Sequence, residues 1–269
     1  MTVFLRGAVL ALTLIPTVGE AQDFAAGQAA YSSGDYATAL NEWVQLAEQG
    51  NAKAQVGLGV IYLFGQGVAQ DYSKARKWFQ KAAEQGNPAA QTLIGNIYFG
   101  GLGVKQDYAK AAKWDRMAAE QGYVLAQGRL GSMYFEGTGV AQNYVEAMKW
   151  DQKAAQQGDA FGQVGLGAIY FLGKGVAQNY REAGKWYRMA AVQGDARGQS
   201  SLGLMYLGGT GVPQDYIAAH MWFNIASANG DPKAAGHRDE LAARLNAADL
   251  SEAQRRAKVC MASNYQDCD

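Results

Sequence analysis

Few residues in this chain have side chains suited to chemistry: two histidines, two cysteines and two aspartates at matching positions. A serine acyl-transfer centre of the penicillin-binding type needs a Ser-x-x-Lys nucleophile, and no serine here has a lysine three residues on. Ser-Asp-Asn, Lys-Thr-Gly and Gly-x-Ser-x-Gly do not occur either. His220, read as the last of the row Lys77, Lys113, Lys149 and Lys185, is expected to be a solvated surface residue. His237 opens the C-terminal segment without a His-Glu-x-x-His pattern. Asp115 and Asp151 lie 36 residues apart and would form an acid–base pair if they approached one another. Phe79, Tyr187 and Phe223 hold the same place elsewhere in the chain, which speaks for a tolerant, exposed site. No catalytic residue is therefore expected.

Cys260 and Cys268 stand near the C-terminus with seven residues between them. In an oxidising compartment such a pair is expected to form one local disulfide. A zinc site needs more ligands, and only His220 and His237 remain, so no metal and no cofactor are expected. Arg6, an apolar run over residues 7–18 and the small-x-small triplet Gly19-Glu20-Ala21 read as an export signal over residues 1–21. The expected location is the periplasm or the exterior. No later segment has the roughly 20 apolar residues of a membrane span. The 24 basic and 24 acidic residues cancel, which argues against nucleic acid as a partner and against a polybasic membrane contact.

The elements that must position these residues follow one period. Gly50, Gly86, Gly122, Gly158, Gly194 and Gly230 recur every 36 residues. Trp78, Trp114, Trp150, Trp186 and Trp222 keep the same step, while Trp43 sits one residue out of it. Such a period specifies a stack of supersecondary units rather than one globular core. Five units run 51–86, 87–122, 123–158, 159–194 and 195–230. Residues 22–50 read as a degenerate N-terminal hairpin and residues 231–269 as a helical cap.

Within one unit, Asn87 and Pro88 read as an N-cap and a first helical residue, a device repeated by Asp231-Pro232. Ala90, Ile94, Gly95 and Tyr98 then form one helical face, and the first helix is expected to end near Tyr98. Gly101-Leu102-Gly103-Val104 and its equivalents suit a sharp turn with positive φ, the valine facing the core. As a phosphate loop, the motif lacks a third glycine and the lysine. Asp71, Asp107, Asn143, Asn179 and Asp215 are placed to cap a second helix whose tryptophan fills the seams. The glycine inside each first helix, such as Gly95, suggests that neighbouring helices approach too closely for a side chain. In the terminal cap, Ser251 is placed to start the last helix.

The recurring Ala-Gln-x-x-Leu-Gly-x-x-Tyr, Gly-x-Gly-Val-x-Gln-Asp-Tyr-x-x-Ala-x-x-Trp and Ala-Ala-x-Gln-Gly closely resemble the Sel1-like repeat family over residues 51–230. Gly162 and Gly198 depart from its usual alanine. The resemblance implies an all-α fold, a right-handed α/α solenoid of stacked helix hairpins related to tetratricopeptide repeats. It also implies a non-enzymatic adaptor that joins proteins. Some secreted relatives with paired cysteines are associated with β-lactam binding or hydrolysis, so a weak binder or hydrolase of β-lactams or peptidoglycan fragments is the alternative. In such stacks the first helices line the concave side, which makes their unfixed face the candidate groove for a protein or peptide. Its residues are Lys53, Phe64, Asn96, Arg129, Glu136, Phe161, Leu172 and Arg197. Self-association through the open ends of the stack is a further expectation.

Overall fold

Short helices and tight turns alternate along the chain, as a 36-residue period with two capping signals per unit requires. The computed structural model describes residues 18–268, so residues 1–17 of the expected export signal lie outside the described residues. The described residues contain fourteen helices and no strand. They divide into two units between Asn87 and Pro88.

The first unit contains α1 (Val18–Ser32), α2 (Tyr36–Glu48), α3 (Ala52–Phe64) and α4 (Tyr72–Glu84), each packed on the next. Its core gathers Trp43, Leu46, Leu58 and Ile61. The second unit runs through α5 (Pro88–Gly100), α6 (Tyr108–Glu120), α7 (Val124–Glu136), α8 (Tyr144–Gln156) and α9 (Ala160–Leu172). It continues through α10 (Tyr180–Ala191), α11 (Ala196–Gly208), α12 (Tyr216–Ala228), α13 (Ala234–Ala242) and α14 (Ala247–Ala262). From α5 to α13 each helix again packs on its successor, and α14 folds back against α12.

Local chemistry explains the hairpins. Asn51, Asp159 and Asp195 accept backbone N–H groups at the start of α3, α9 and α11. Asp71, Asp107, Asn143, Asn179 and Asp215 do the same for α4, α6, α8, α10 and α12. The first helix of a hairpin stops at a left-handed glycine, as at Gly65 with φ 68°, and the second glycine of the turn, Gly67, has φ 69°. An L side chain pays a steric penalty there, which is why Gly-x-Gly recurs. The turn valines are half-buried against the hairpin cores.

One fixed polar contact was not expected. Gln127 is buried; its Nε2 donates to the carbonyl of Ala119 at 3.1 Å, and its Oε1 accepts from Gln157 Nε2 at 2.7 Å. Gln199 is held in the same way by Ala191 and Asn229. With Gln55 donating to Ala47 in the first unit, this amide staple joins α3, α7 and α11 each to the helix before it, and it accounts for the Ala-Gln and Gln-Gly signatures.

The C-terminal cap departs from expectation in two places. Asp231 Oδ1 accepts from the N–H of Lys233, but α13 begins only at Ala234, because residues 232 and 233 form a turn. The last helix starts before Ser251, at Ala247, with Asn246 as its N-cap accepting from the Asp249 N–H at 2.9 Å. Cys260 and Cys268 are joined as a disulfide with a Cα–Cα distance of 4.5 Å.

Candidate functional site

The residue after each repeat tryptophan is buried in every hairpin, whereas the tryptophan itself is buried in only two. Phe79, Asp115, Asp151, Tyr187 and Phe223 are all buried, whereas Trp78, Trp114 and Trp186 are half-buried. Of the five tryptophans in step, Trp150 and Trp222 are the buried ones. Each deep residue lies on the glycine of its own first helix: Phe79 on Gly59, Asp115 on Gly95, Asp151 on Gly131, Tyr187 on Gly167 and Phe223 on Gly203. A Cβ on Gly203 would sit 2.7 Å from the Phe223 ring, and one on Gly95 2.7 Å from Asp115 Oδ1. The glycines thus make room for a partner side chain rather than for a neighbouring backbone. Trp43 is out of step for the same reason, since it fills this deep position itself, against Gly27 and Gly57.

Asp115 and Asp151 are consequently buried carboxylates, not residues of a tolerant, exposed site; the shared position is a core seat that also takes aromatic rings. Within the second unit, a residue fourteen positions on and in the next hairpin faces three of the four seats with its side chain. Arg129 Nε donates to Asp115 Oδ2 at 2.5 Å, and its Nη2 donates both to Asp115 Oδ1 and to the Thr92 carbonyl. The side chain of Ser201 is hydrogen-bonded to Tyr187. The His237 ring lies tilted against Phe223 with ring centroids 5.0 Å apart. Opposite Asp151 the corresponding residue is Gly165, which offers no side chain.

The electrostatics follow this pairing. Burial pushes the Asp115 carboxyl up, and the Arg129 guanidinium draws it back towards the charged form. Asp151 has no such counterion: burial, reinforced by the charge of Asp159, pushes it up to about 8. Its Oδ1 is buried without a hydrogen-bond partner. Burial also pushes the Tyr187 phenol up to about 12, against the Ser201 hydrogen bond.

His220 requires a correction as well. The 36-residue row of Lys185 continues to Met221, and His220 falls in register with Gly184 and Met148. It is buried with an unpartnered Nδ1, and burial, with Arg238 nearby, holds its pKa down.

Four of the eight expected groove residues come together. Arg129, Glu136, Phe161 and Arg197 line two adjoining clefts of about 380 and 350 Å³ on α7, α9 and α11. The larger also takes in Ser132, Phe135, Asp151, Val164, Gly165 and Ala168; the smaller takes in Phe99, Leu125 and Asp159. Arg197 lies 4.4 Å from the centre of the Phe161 ring and pairs with Asp195 at 2.6 Å. Asn96 and Leu172 are exposed but line neither cleft, while Lys53 and exposed Phe64 belong to the first unit. Asp151 was missed as a cleft residue. A signal for it was present: five helix glycines at one step demand five bulky neighbours at one step.

The Sel1 repeat family matches five segments, residues 52–87, 88–123, 124–159, 160–195 and 196–231. The chain is similar to a protective antigen of uropathogenic Escherichia coli with an SLR fold, at 36% identity and TM-score 0.75, covering 91% of this chain and 54% of that one. It therefore spans about half the length of that protein. A Sel1 repeat protein from Oxalobacter formigenes matches at 34% identity and TM-score 0.72, over 78% of this chain and 87% of its own. An immunity protein from Pseudomonas aeruginosa, at 20% identity and TM-score 0.51 over 77% and 82%, shares the fold. No curated protein matches the chain.

Proposed function

The chain belongs to the Sel1 repeat family, and from that premise we propose that it is an exported, non-enzymatic scaffold that binds a polypeptide on the first-helix face of its second unit. Repeats of this kind form an α/α solenoid whose fixed positions hold the stack, which leaves the unfixed positions free for recognition.

The observation that carries the reading is the pair of clefts that meet at Ser132, Glu136 and Phe161. Exposed Phe99, Leu125 and Phe161 lie beside Arg197 and Glu136, the mixture of aromatic, aliphatic and charged anchors typical of protein interfaces. Asn96 and Leu172 are exposed on first helices of the same unit outside the clefts, and Lys53 and Phe64 hold comparable positions on α3 of the first unit. Delivery to the periplasm or beyond is supported by the Cys260–Cys268 disulfide and by the leader-like start. No helix among the described residues is long and apolar enough to cross a membrane.

A photo-crosslinking residue at Phe161 tests the reading, with exposed Gln152 on α8 as the control. Capture of one protein from position 161 and not from 152 supports the scaffold. Equal labelling from both positions removes it.

A further inference from the structure

The seats along the second unit are closed by matched pairs in all cases but one. Asp115 faces Arg129, Tyr187 faces Ser201 and Phe223 faces His237, while Asp151 faces Gly165. A carboxylate opposite glycine has neither counterion nor bulk. A cleft of about 380 Å³ opens there, lined in part by Asp151 and Gly165.

We propose that this cleft binds the guanidinium group of an arginine side chain presented by a partner polypeptide, in the place that Arg129 occupies beside Asp115 one repeat earlier. The protein supplies the template itself. At Asp115 a guanidinium satisfies both carboxylate oxygens and the carbonyl of Thr92; the positions one repeat on are Asp151 and Gly128. Asp151 is only 2% exposed, and its Oδ1 lacks any hydrogen-bond partner, so an incoming donor satisfies an atom that is costly to leave bare. The planar fork of arginine fits a carboxylate in two-point contact and tolerates desolvation better than the compact ammonium of lysine.

The surroundings favour a cation. Glu136 of α7 lines the cleft and Asp159 caps α9 nearby. Of the basic groups, Arg197 of α11 is paired with Asp195 and Arg129 with Asp115. Lys149 and Lys153 of α8 lie over the Trp150 ring. The adjoining cleft, with Phe99 and Leu125, suits an apolar residue next to the arginine. The arginine's origin in a polypeptide rests on the interaction reading above; the guanidinium seat does not.

The test is calorimetric titration of the full chain with an acetylated peptide holding one arginine between leucines, beside its lysine and citrulline counterparts. The arginine peptide binds at least roughly tenfold more tightly than either counterpart, the scale of one charged hydrogen bond. Asp151 must release its proton to accept the guanidinium, so affinity rises more than about tenfold between pH 6.5 and pH 9. Asp151→Phe, which places the ring of Phe79 and Phe223 in the seat, keeps the fold and abolishes the preference. Equal affinities for the arginine and citrulline peptides, no binding of the arginine peptide, or an unchanged preference in Asp151→Phe overturns the seat. Crosslinking from Phe161 reports separately: capture without arginine dependence leaves the scaffold and removes the seat. Arginine-dependent peptide binding without capture does the reverse.

Discussion

Arg129 and Asp115, fourteen residues apart and on successive hairpins, form a buried ion pair at a place where other repeats put aromatic rings. The aspartate is fully buried and the arginine one-fifth exposed, so the pair is held by geometry rather than by solvent. Its worth to the fold is felt mostly when one partner is lost and the other stays buried alone.

Arg129→Met is expected to cost about 3 kcal/mol in urea unfolding, because Asp115 is left buried without its counterion. Asp115→Phe combined with Arg129→Leu, the combination present at positions 79 and 93, is expected to recover that loss. A double variant no better than the single one would falsify the account of the seat.

Asp151 makes stability depend on pH in the unusual direction for a carboxylate. Its folded value of about 8 lies above the unfolded 3.8, so between these values the folded chain holds a proton that the unfolded chain has released. Unfolding free energy therefore falls as the pH rises from about 4 to about 8 and levels off above. Asp151→Asn removes most of this slope, while Asp115, also pushed up by burial, leaves a remnant. Urea midpoints at pH 5 and pH 8 check this; parallel changes in wild type and Asp151→Asn reject it.

What the sequence displayed, and what it concealed, divide by range. Caps such as Asp107 and turns such as Gly65-Gln66-Gly67 act within four residues of themselves, so periodicity alone exposed them. The seats link positions 20 residues apart inside a hairpin and, in the second unit, 14 apart between hairpins, and there the residue types vary while the deep position stays buried. An alternation of Phe, Asp, Asp, Tyr and Phe reads as tolerance until the glycine opposite is seen. The clefts were half legible: unfixed Arg129, Glu136, Phe161 and Arg197 stood out, but Asp151 lay outside the expected groove row.

The seats also predict opposite outcomes for two helix glycines. Gly203→Ala places a methyl group 2.7 Å from the buried Phe223 ring, and overpacking of this kind costs about 1–3 kcal/mol. Gly236 lies within α13 with nothing within 4 Å of a built Cβ, so Gly236→Ala gains roughly 0.5–1 kcal/mol of helix propensity. Thermal melts of the two variants should move in opposite directions. Phe223→Leu in the Gly203→Ala background should restore part of the loss, since the shorter side chain vacates the space of the ring edge.

The amide staples end at Asn229, and the disulfide decides how that end is closed. Buried Gln199 accepts from Asn229 Nδ2 at 2.9 Å, and Asn229 Oδ1 in turn accepts from the Tyr265 hydroxyl at 2.9 Å. Tyr265 lies between Cys260 and Cys268 with φ 65°, a conformation that the short disulfide loop helps to hold. Replacing both cysteines by serine therefore releases Tyr265 as well as the tail. The expected loss is about 2 kcal/mol or more, with hydrogen-exchange protection falling in α12 and α14 and unchanged in α7. Tyr265→Phe, which keeps the disulfide and removes only the hydroxyl, should cost roughly 1 kcal/mol. If the serine variant and the wild type exchange alike in α14, the disulfide has no part in closing the stack.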